Sequence, residues 1–256
     1  MNHSVAIIAK YTYLEAIRNR LFIFFVLGII CAYGLSKFIG EISITERTQI
    51  EISLLSSGLR LFIIFIMSLF VTTSIVREFN DKGFELVLSH PVARVSYYFG
   101  KAIGFGLMSI FLAILASLIL LLHTPLLPVI YWCVSLICEL LIINSLAIMC
   151  LFTFNNITLS FSAVVLFYLL ARTMDVIQLI SESPILETNS ISQTVINVVL
   201  DCIAYLLPNL NNFTKTVWLV YESVSISDLY TVIGQTLIYL TLLSAIALFD
   251  LYRKEF

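Results

Sequence analysis

Six long apolar segments constrain the fold of this chain more than any other feature of its sequence. A bilayer core takes about 20 apolar residues of helix. Six segments reach or approach that length, at about 21–38, 58–76, 102–122, 128–153, 157–176 and 229–251. The chain is 60% hydrophobic and 12% charged, whereas an average soluble domain is about half apolar and about a quarter charged. The sequence therefore predicts an all-α polytopic membrane protein, with residues 1–256 forming one six-span domain.

The lysines and arginines predict which side of the membrane each connection faces, because positive residues favour the cytoplasmic side. With both termini inside, nine of the 14 basic residues fall on the inner side: Lys10, Arg18, Arg20, Arg77, Lys82, Arg94, Lys101, Arg253 and Lys254. The remaining five fall outside: Lys37, Arg47, Arg60, Arg172 and Lys215. We therefore expect a multi-pass protein of the bacterial cytoplasmic (inner) membrane with both termini in the cytoplasm.

The connections around the fifth span are informative. Only Asn155 and Asn156 separate the fourth and fifth spans, which predicts a tight helical hairpin. Arg172 and Asp175, near the end of the fifth span, are expected to form a one-turn ion pair at the interface.

Two further helices are predicted outside the spans. The N-terminal stretch, about 4–20, is expected to lie at the inner interface, where long basic side chains can reach the headgroups. In the outer connection, Gln193, Asn197 and Asp201 repeat every four positions. That stripe predicts a short helix over 191–207, lying against the membrane surface or the bundle, with re-entry into the bilayer left open.

The inner connection between the second and third spans, 77–101, has a mixed composition. A turn signal at Asp81-Lys82-Gly83 precedes a short apolar helical stretch, about 83–89, which Pro91 ends. An apolar helix presented to the cytoplasm needs a partner. The alternative is an interfacial helix that rests on lipid.

This connection carries the residues of a recognisable family pattern: Glu78, Gly83, Glu85, Leu88, Pro91, Val92, Arg94, Gly100 and Lys101. The pattern resembles the permease subunit of ABC-2 type ABC transporters, and Phe84 stands where that family often has threonine. The likeness extends less specifically to Cys138-Glu139-Leu140-Leu141 in the fourth span and to Leu207-Pro208-Asn209-Leu210 before the last span.

The resemblance implies a function in which ATP is hydrolysed elsewhere. The inner connection would be the coupling helix that docks on a cytoplasmic ABC ATPase. The docking residues would be Arg77, Glu78, Lys82, Gly83, Phe84, Glu85, Leu88, Pro91 and Arg94. Two permease chains, identical or different, would form the pathway of an exporter or an envelope-directed machine. ATP and Mg²⁺ would bind to the partner ATPase, and this chain would be no enzyme. The outer segment, 174–227, is long enough to contact an extracytoplasmic accessory protein.

Glu139 is the ionisable residue deepest inside a predicted span, where a charge costs several kcal/mol unless it is paired or hydrated. One interpretation is a polar lining of the substrate path or a coupling proton site. The other is a structural carboxyl group, hydrogen-bonded to Asn144, Ser145 or a neighbouring helix.

Other classes of function lack their motifs. The Gly100-Lys101 pair has neither the earlier glycine nor the following serine or threonine of a nucleotide-binding loop. The histidines and cysteines show no metal-ligand spacing, and the scattered basic residues do not suggest nucleic-acid binding. A stand-alone secondary transporter is the alternative, although inverted repeats are not evident. A membrane-embedded enzyme would need convergent catalytic groups within the spans.

Overall fold

A computed structural model describes residues 2–19, 21–43, 46–80, 94–154, 156–182 and 191–253. Within these ranges the chain is helical, without strands. The helices are α1 (Asn2–Arg18), α2 (Leu21–Ile42), α3 (Arg47–Asn80), α4 (Arg94–Leu120), α5 (Leu126–Phe154), α6 (Ile157–Glu182), α7 (Ile191–Leu206), α8 (Thr216–Tyr221) and α9 (Ile226–Arg253). One 3₁₀ turn occupies Leu210–Asn212.

Six of these helices, α2 to α6 and α9, are long and apolar enough to cross a membrane. They correspond to the six predicted spans, which confirms the all-α, multi-pass character of the chain. Two residues separate α5 from α6, as expected for a tight hairpin, and the Thr158 amide donates a 3.0 Å hydrogen bond to Asn156 Oδ1 at the start of α6. The predicted coupling helix, about 83–89, lies outside the described residues.

Helix α5 is the centre of the bundle. It packs against α3, α4, α6 and α9, and its core residues Leu140, Ile143 and Ala147 are fully buried. By contrast, α2, α6 and α9 expose long apolar stretches to their surroundings. An apolar exterior of this kind is what a lipid environment requires.

The pairing of α2 with α3 is antiparallel, because Gly28 lies against Phe62 and Gly40 lies against Glu51. Helix α3 begins eleven residues before the predicted second span. Its additional turns are stabilised by Glu51, which is buried and accepts hydrogen bonds from Lys37 Nζ at 2.7 Å and Arg47 Nε at 3.0 Å.

Helix α1 packs lengthwise along the first half of α4, and the two run in the same direction. A side chain at Gly100 would meet Ile8, and one at Gly104 would meet Thr12. Small residues at this spacing allow close approach of two helices. The expected position of α1 at the inner interface concerns lipid and stays a prediction.

Helix α7 turns two polar residues toward the end of α6. The carboxylate of Asp201 accepts a 3.1 Å hydrogen bond from Gln178, and Asn197 is hydrogen-bonded to Ser181. The exposed residues of α7 are largely apolar. Two residues of the predicted polar stripe, Asn197 and Asp201, therefore face α6.

Candidate functional site

Polar side chains gather at two levels of the bundle, and the first group joins α3 to α4 beside the predicted coupling segment. We call the end of the bundle where α9 ends at Arg253 and α4 begins at Arg94 the terminal face. Near this face, Glu78 accepts a 2.6 Å hydrogen bond from the Tyr97 hydroxyl and a 2.5 Å hydrogen bond from Lys101 Nζ. Since Tyr97 and Lys101 occupy successive turns of α4, the end of α3 is fixed to the start of α4 at two points.

Helix α1 is connected to the same group through Glu15. This carboxylate accepts a 3.0 Å hydrogen bond from the Ser74 hydroxyl and lies 3.9 Å from Lys101 Nζ. Lys101 is 3% exposed, so its ammonium group depends on these two carboxylates for compensation. The group therefore links α1, α3 and α4 around one buried cation.

Arg94 connects α4 to the last span. Its Nη1 donates hydrogen bonds to the carbonyl oxygens of Leu251 and Tyr252, at 3.0 and 3.1 Å. These carbonyls belong to the last turn of α9, where helix carbonyl groups lack intrahelical partners and carry partial negative charge. Arg94 therefore supplies hydrogen bonds to carbonyl groups at the end of α9 and joins α9 to α4.

The predicted coupling residues are thus only partly described. Glu78 and Arg94 stabilise helix contacts at the terminal face, while Arg77 is exposed and lines a groove together with Glu15 and Arg18 of α1. The other predicted residues lie outside the described ranges: Lys82, Gly83, Phe84, Glu85, Leu88 and Pro91.

The second polar group surrounds Glu139 in the middle of α5. Glu139 is 0% exposed. Its Oε2 accepts a 2.9 Å hydrogen bond from the Thr214 hydroxyl, and its Oε1 lies 3.8 Å from Arg172 Nη1. Of the partners expected for a structural carboxyl group, a neighbouring helix is present through Arg172 of α6, whereas Asn144 Nδ2 donates to the Ser109 hydroxyl of α4 at 2.7 Å.

Two arginines of this second group hold the segment 210–214 in the bundle. Arg60 of α3 donates to the carbonyl oxygen of Thr214 at 3.1 Å and to its hydroxyl oxygen at 3.3 Å. Arg172 of α6 donates to the carbonyls of Leu210 and Phe213. The Ser135 hydroxyl of α5 accepts the Thr214 amide at 2.8 Å. Side chains from three spans therefore bind one short segment.

Two guanidinium groups face the Glu139 carboxylate, and the carboxylate of Asp175 also attracts Arg172. Arg60 is buried, and Tyr168 is close enough to interact electrostatically with Glu139 and both arginines. Three buried polar atoms there have no protein hydrogen-bond partner within 3.5 Å: Glu139 Oε1, Arg60 Nε and the Tyr168 hydroxyl. Such atoms in one place are the usual setting for an internal water.

The prediction of a one-turn ion pair between Arg172 and Asp175 is wrong. Arg172 turns toward Glu139 and the loop carbonyls, while Asp175 accepts a 3.1 Å hydrogen bond from Asn211 Nδ2. Sequence reasoning also missed Arg60 and Thr214. The sequence did contain an indication of this site. Arg60 lies inside the predicted second span, where a buried charge needs a counter-charge.

Neither group provides the ligand set of a metal ion. Within the described ranges, three or more His, Cys, Asp or Glu side chains do not converge anywhere. The chemistry that both groups offer is the joining of helices by charged hydrogen bonds within an apolar bundle. In comparisons with known proteins, no family model and no curated protein matches this chain.

Proposed function

We propose that this chain is the membrane-spanning permease subunit of an ATP-driven ABC transporter of the ABC-2 type. It dimerises with a second permease chain and couples to separate ATPase subunits through the segment 77–91. The resemblance of that segment to a coupling helix motivates the proposal. The observation that carries it is the polar group of Glu78, Tyr97 and Lys101, which fixes both flanks of the segment to each other.

An ATPase that pushes on the segment 77–91 can move the spans only if the helices on either side of that segment are joined. A force applied to the segment between α3 and α4 would be lost if the ends of these helices moved independently. The hydrogen bonds of Glu78 make the two ends move together, Glu15 adds α1, and Arg94 adds α9. Movement of an ATPase would then tilt these helices as a rigid body, which is a common route of conformational switching.

Co-purification tests the ATPase partnership directly. The tagged chain, expressed in its own host and extracted in a mild detergent, should bring down an ABC ATPase. Replacement of two predicted contact residues, Phe84→Arg with Leu88→Arg, should abolish that recovery. The matched control is Val195→Arg with Tyr205→Arg, which places the same charges on the exposed face of α7. Recovery of no ATPase, or equal recovery with both double variants, would contradict the proposal.

A second measurement separates docking from transmission. Glu78→Gln leaves the other predicted docking residues unchanged and puts a neutral side chain of the same size at this one, which removes the charge that binds Lys101. We expect the ATPase to remain bound to this variant, while stimulation of its hydrolysis by the reconstituted permease falls. Arg18→Gln, at an exposed arginine of α1 that is not among the predicted docking residues, is the control for a simple change of surface charge.

One observation favours a different class, the stand-alone secondary transporter. The buried Glu139, whose Oε1 lies 3.8 Å from Arg172 Nη1 but accepts no hydrogen bond, is the kind of intramembrane carboxyl group that proton-coupled transport uses. Transport in vesicles distinguishes the two: a process that persists without ATP and stops when the proton gradient is dissipated favours the secondary transporter.

A further inference from the structure

A lateral cleft lies between α4, α5 and α9, on the terminal-face half of the bundle. Its volume is about 670 Å³. Small residues keep it open: Ala102 and Gly106 on α4, Ser145 on α5, and Ala245 on α9. Both α4 and α9 pack extensively on α5 but contact each other little. The cleft therefore has α5 as its floor and opens sideways, where a bilayer would surround the bundle.

The walls of the cleft are apolar toward its open side. Ile103, Leu107 and Ile110 of α4 line it and are each more than one-third exposed. Water is poorly stabilised in such a space, because few polar groups there could form hydrogen bonds with it. The occupant must be largely apolar.

One end of the cleft carries basic groups. Tyr98 and Leu248 line the cleft at this end. Arg94 lies one helical turn before Tyr98, and its guanidinium reaches the carbonyls of Leu251 and Tyr252. Arg253, the next residue, is exposed. Each wall thus ends in an arginine at the terminal face, and the Arg94 guanidinium lies against the helical turn of α9 that carries Arg253. Basic pockets of this kind between membrane spans bind anionic headgroups.

The charge at one end of the cleft selects between a lipid and a helix as occupant. The cleft extends along α9 from Leu240 to Leu248, about 12 Å at the helical rise of 1.5 Å per residue. A phospholipid combines an apolar chain with an anionic headgroup at one end, which matches both the apolar walls and the basic end of the cleft. A helix of a second copy with a wholly apolar face would match the walls but not the basic end.

We propose that this cleft binds one molecule of an anionic phospholipid. An acyl chain lies along α5 between Gly106 and Ala245, and the headgroup phosphate is held by Arg94 and Arg253. The hydroxyls of Tyr98 and Ser244, already hydrogen-bonded to each other at 2.9 Å, lie near the junction of chain and headgroup. This site does not depend on the ATPase partnership, since it is built from the spans alone.

Native mass spectrometry of the detergent-solubilised full chain tests the proposal, with dioleoyl phosphatidylglycerol and dioleoyl phosphatidylcholine as the added probes. We expect one phosphatidylglycerol to be retained in preference to phosphatidylcholine. Ala245→Phe fills the cleft and should weaken retention about tenfold, the equivalent of roughly 1.4 kcal/mol. Arg253→Gln should reduce the preference for the anionic lipid about fivefold, as expected for roughly 1 kcal/mol per basic residue.

Matched controls keep the result interpretable. Ser162→Phe adds the same ring on the exposed face of α6, and Arg18→Gln removes an exposed arginine from α1. Both should bind as the parent protein does. A second cleft-filling variant, Thr241→Trp at the rim, covers the case in which Ala245→Phe fails to fold. Equal retention of both lipids, equal retention by Ala245→Phe and Ser162→Phe, or conversion of a dimer to a monomer by the cleft-filling variants would overturn the proposal.

Discussion

The hydroxyl of Thr214 donates a 2.9 Å hydrogen bond to the carboxylate of Glu139, although 75 positions of sequence separate the two residues. The bond places a segment from the last long connection beside the middle of α5. Arg60 and Arg172 bind the backbone of the same segment. Movement of α3, α5 or α6 would therefore displace the connection between α6 and α9.

Removal of the Glu139 carboxylate should destabilise the protein strongly. Glu139→Ala removes the buried carboxylate that the guanidinium groups of Arg60 and Arg172 face. Loss of one partner of a buried ion pair typically costs about 3–5 kcal/mol. We expect the free energy of unfolding in detergent micelles, followed by circular dichroism, to fall by a similar amount. Glu41→Ala is the control, since Glu41 is exposed and its pair with Arg47 is worth at most about 1 kcal/mol.

Lys101 and Glu78, in the polar group that joins α1, α3 and α4 at the terminal face, should be coupled in their effects on the free energy of unfolding. Lys101→Met leaves Glu15 and Glu78 near each other without their cation, while Glu78→Gln leaves Lys101 with a weaker partner. A double-mutant cycle on unfolding free energies should give a coupling of about 1–3 kcal/mol for this pair. The same cycle with Arg77→Gln in place of Glu78→Gln should be additive within about 0.5 kcal/mol. Additivity in both cycles would mean that the Glu78 bond contributes nothing.

The sequence predicted the spans because hydropathy and length decide them locally. The ends of the spans were predicted less accurately. The predicted second span, 58–76, is part of the longer α3, since helix can continue past the apolar region where charged side chains pair with each other. Glu51 does this with Lys37 and Arg47. Such pairing depends on which helix lies alongside, which hydropathy does not encode.

The candidate site was harder to predict for the same reason. A buried carboxylate in α5 stood out as costly, so Glu139 was identified. Its partners Arg60, Arg172 and Thr214 come from three other parts of the chain, and spacing in sequence could not bring them together. Of the three expected partners, Asn144, Ser145 and a neighbouring helix, the structure shows the last, because Glu139 lies beside Arg172 of α6 while Asn144 lies toward α4.

Two glycine substitutions should change stability in opposite directions. At Gly104, a Cβ would lie 2.7 Å from Thr12 Cβ and 3.0 Å from the Ala9 carbonyl oxygen. Gly104→Ala should therefore push α1 away from α4 and cost about 1–3 kcal/mol, as overpacking does. At Gly234 nothing lies within 4 Å of the added atom, so Gly234→Ala should gain up to about 1 kcal/mol from helix propensity. Thermal unfolding of both variants checks the signs, and a stabilising Gly104→Ala would contradict the close contact.

Labelling of single cysteines should reveal the topology. In a background that lacks the five native cysteines, cysteine is placed at Lys10, Glu222 or Tyr252, all of which are exposed. With six spans and both termini inside, a membrane-impermeant maleimide should label position 222 in intact cells, and positions 10 and 252 only after permeabilisation. Labelling at position 222 shows in particular whether α7 crosses the membrane. Helix α7 has 16 residues, fewer than the roughly 20 that a bilayer core takes, and it pairs Asp201 with α6. If α7 nevertheless crossed, position 222 would be protected in intact cells and position 252 would be labelled, which would contradict the six-span arrangement.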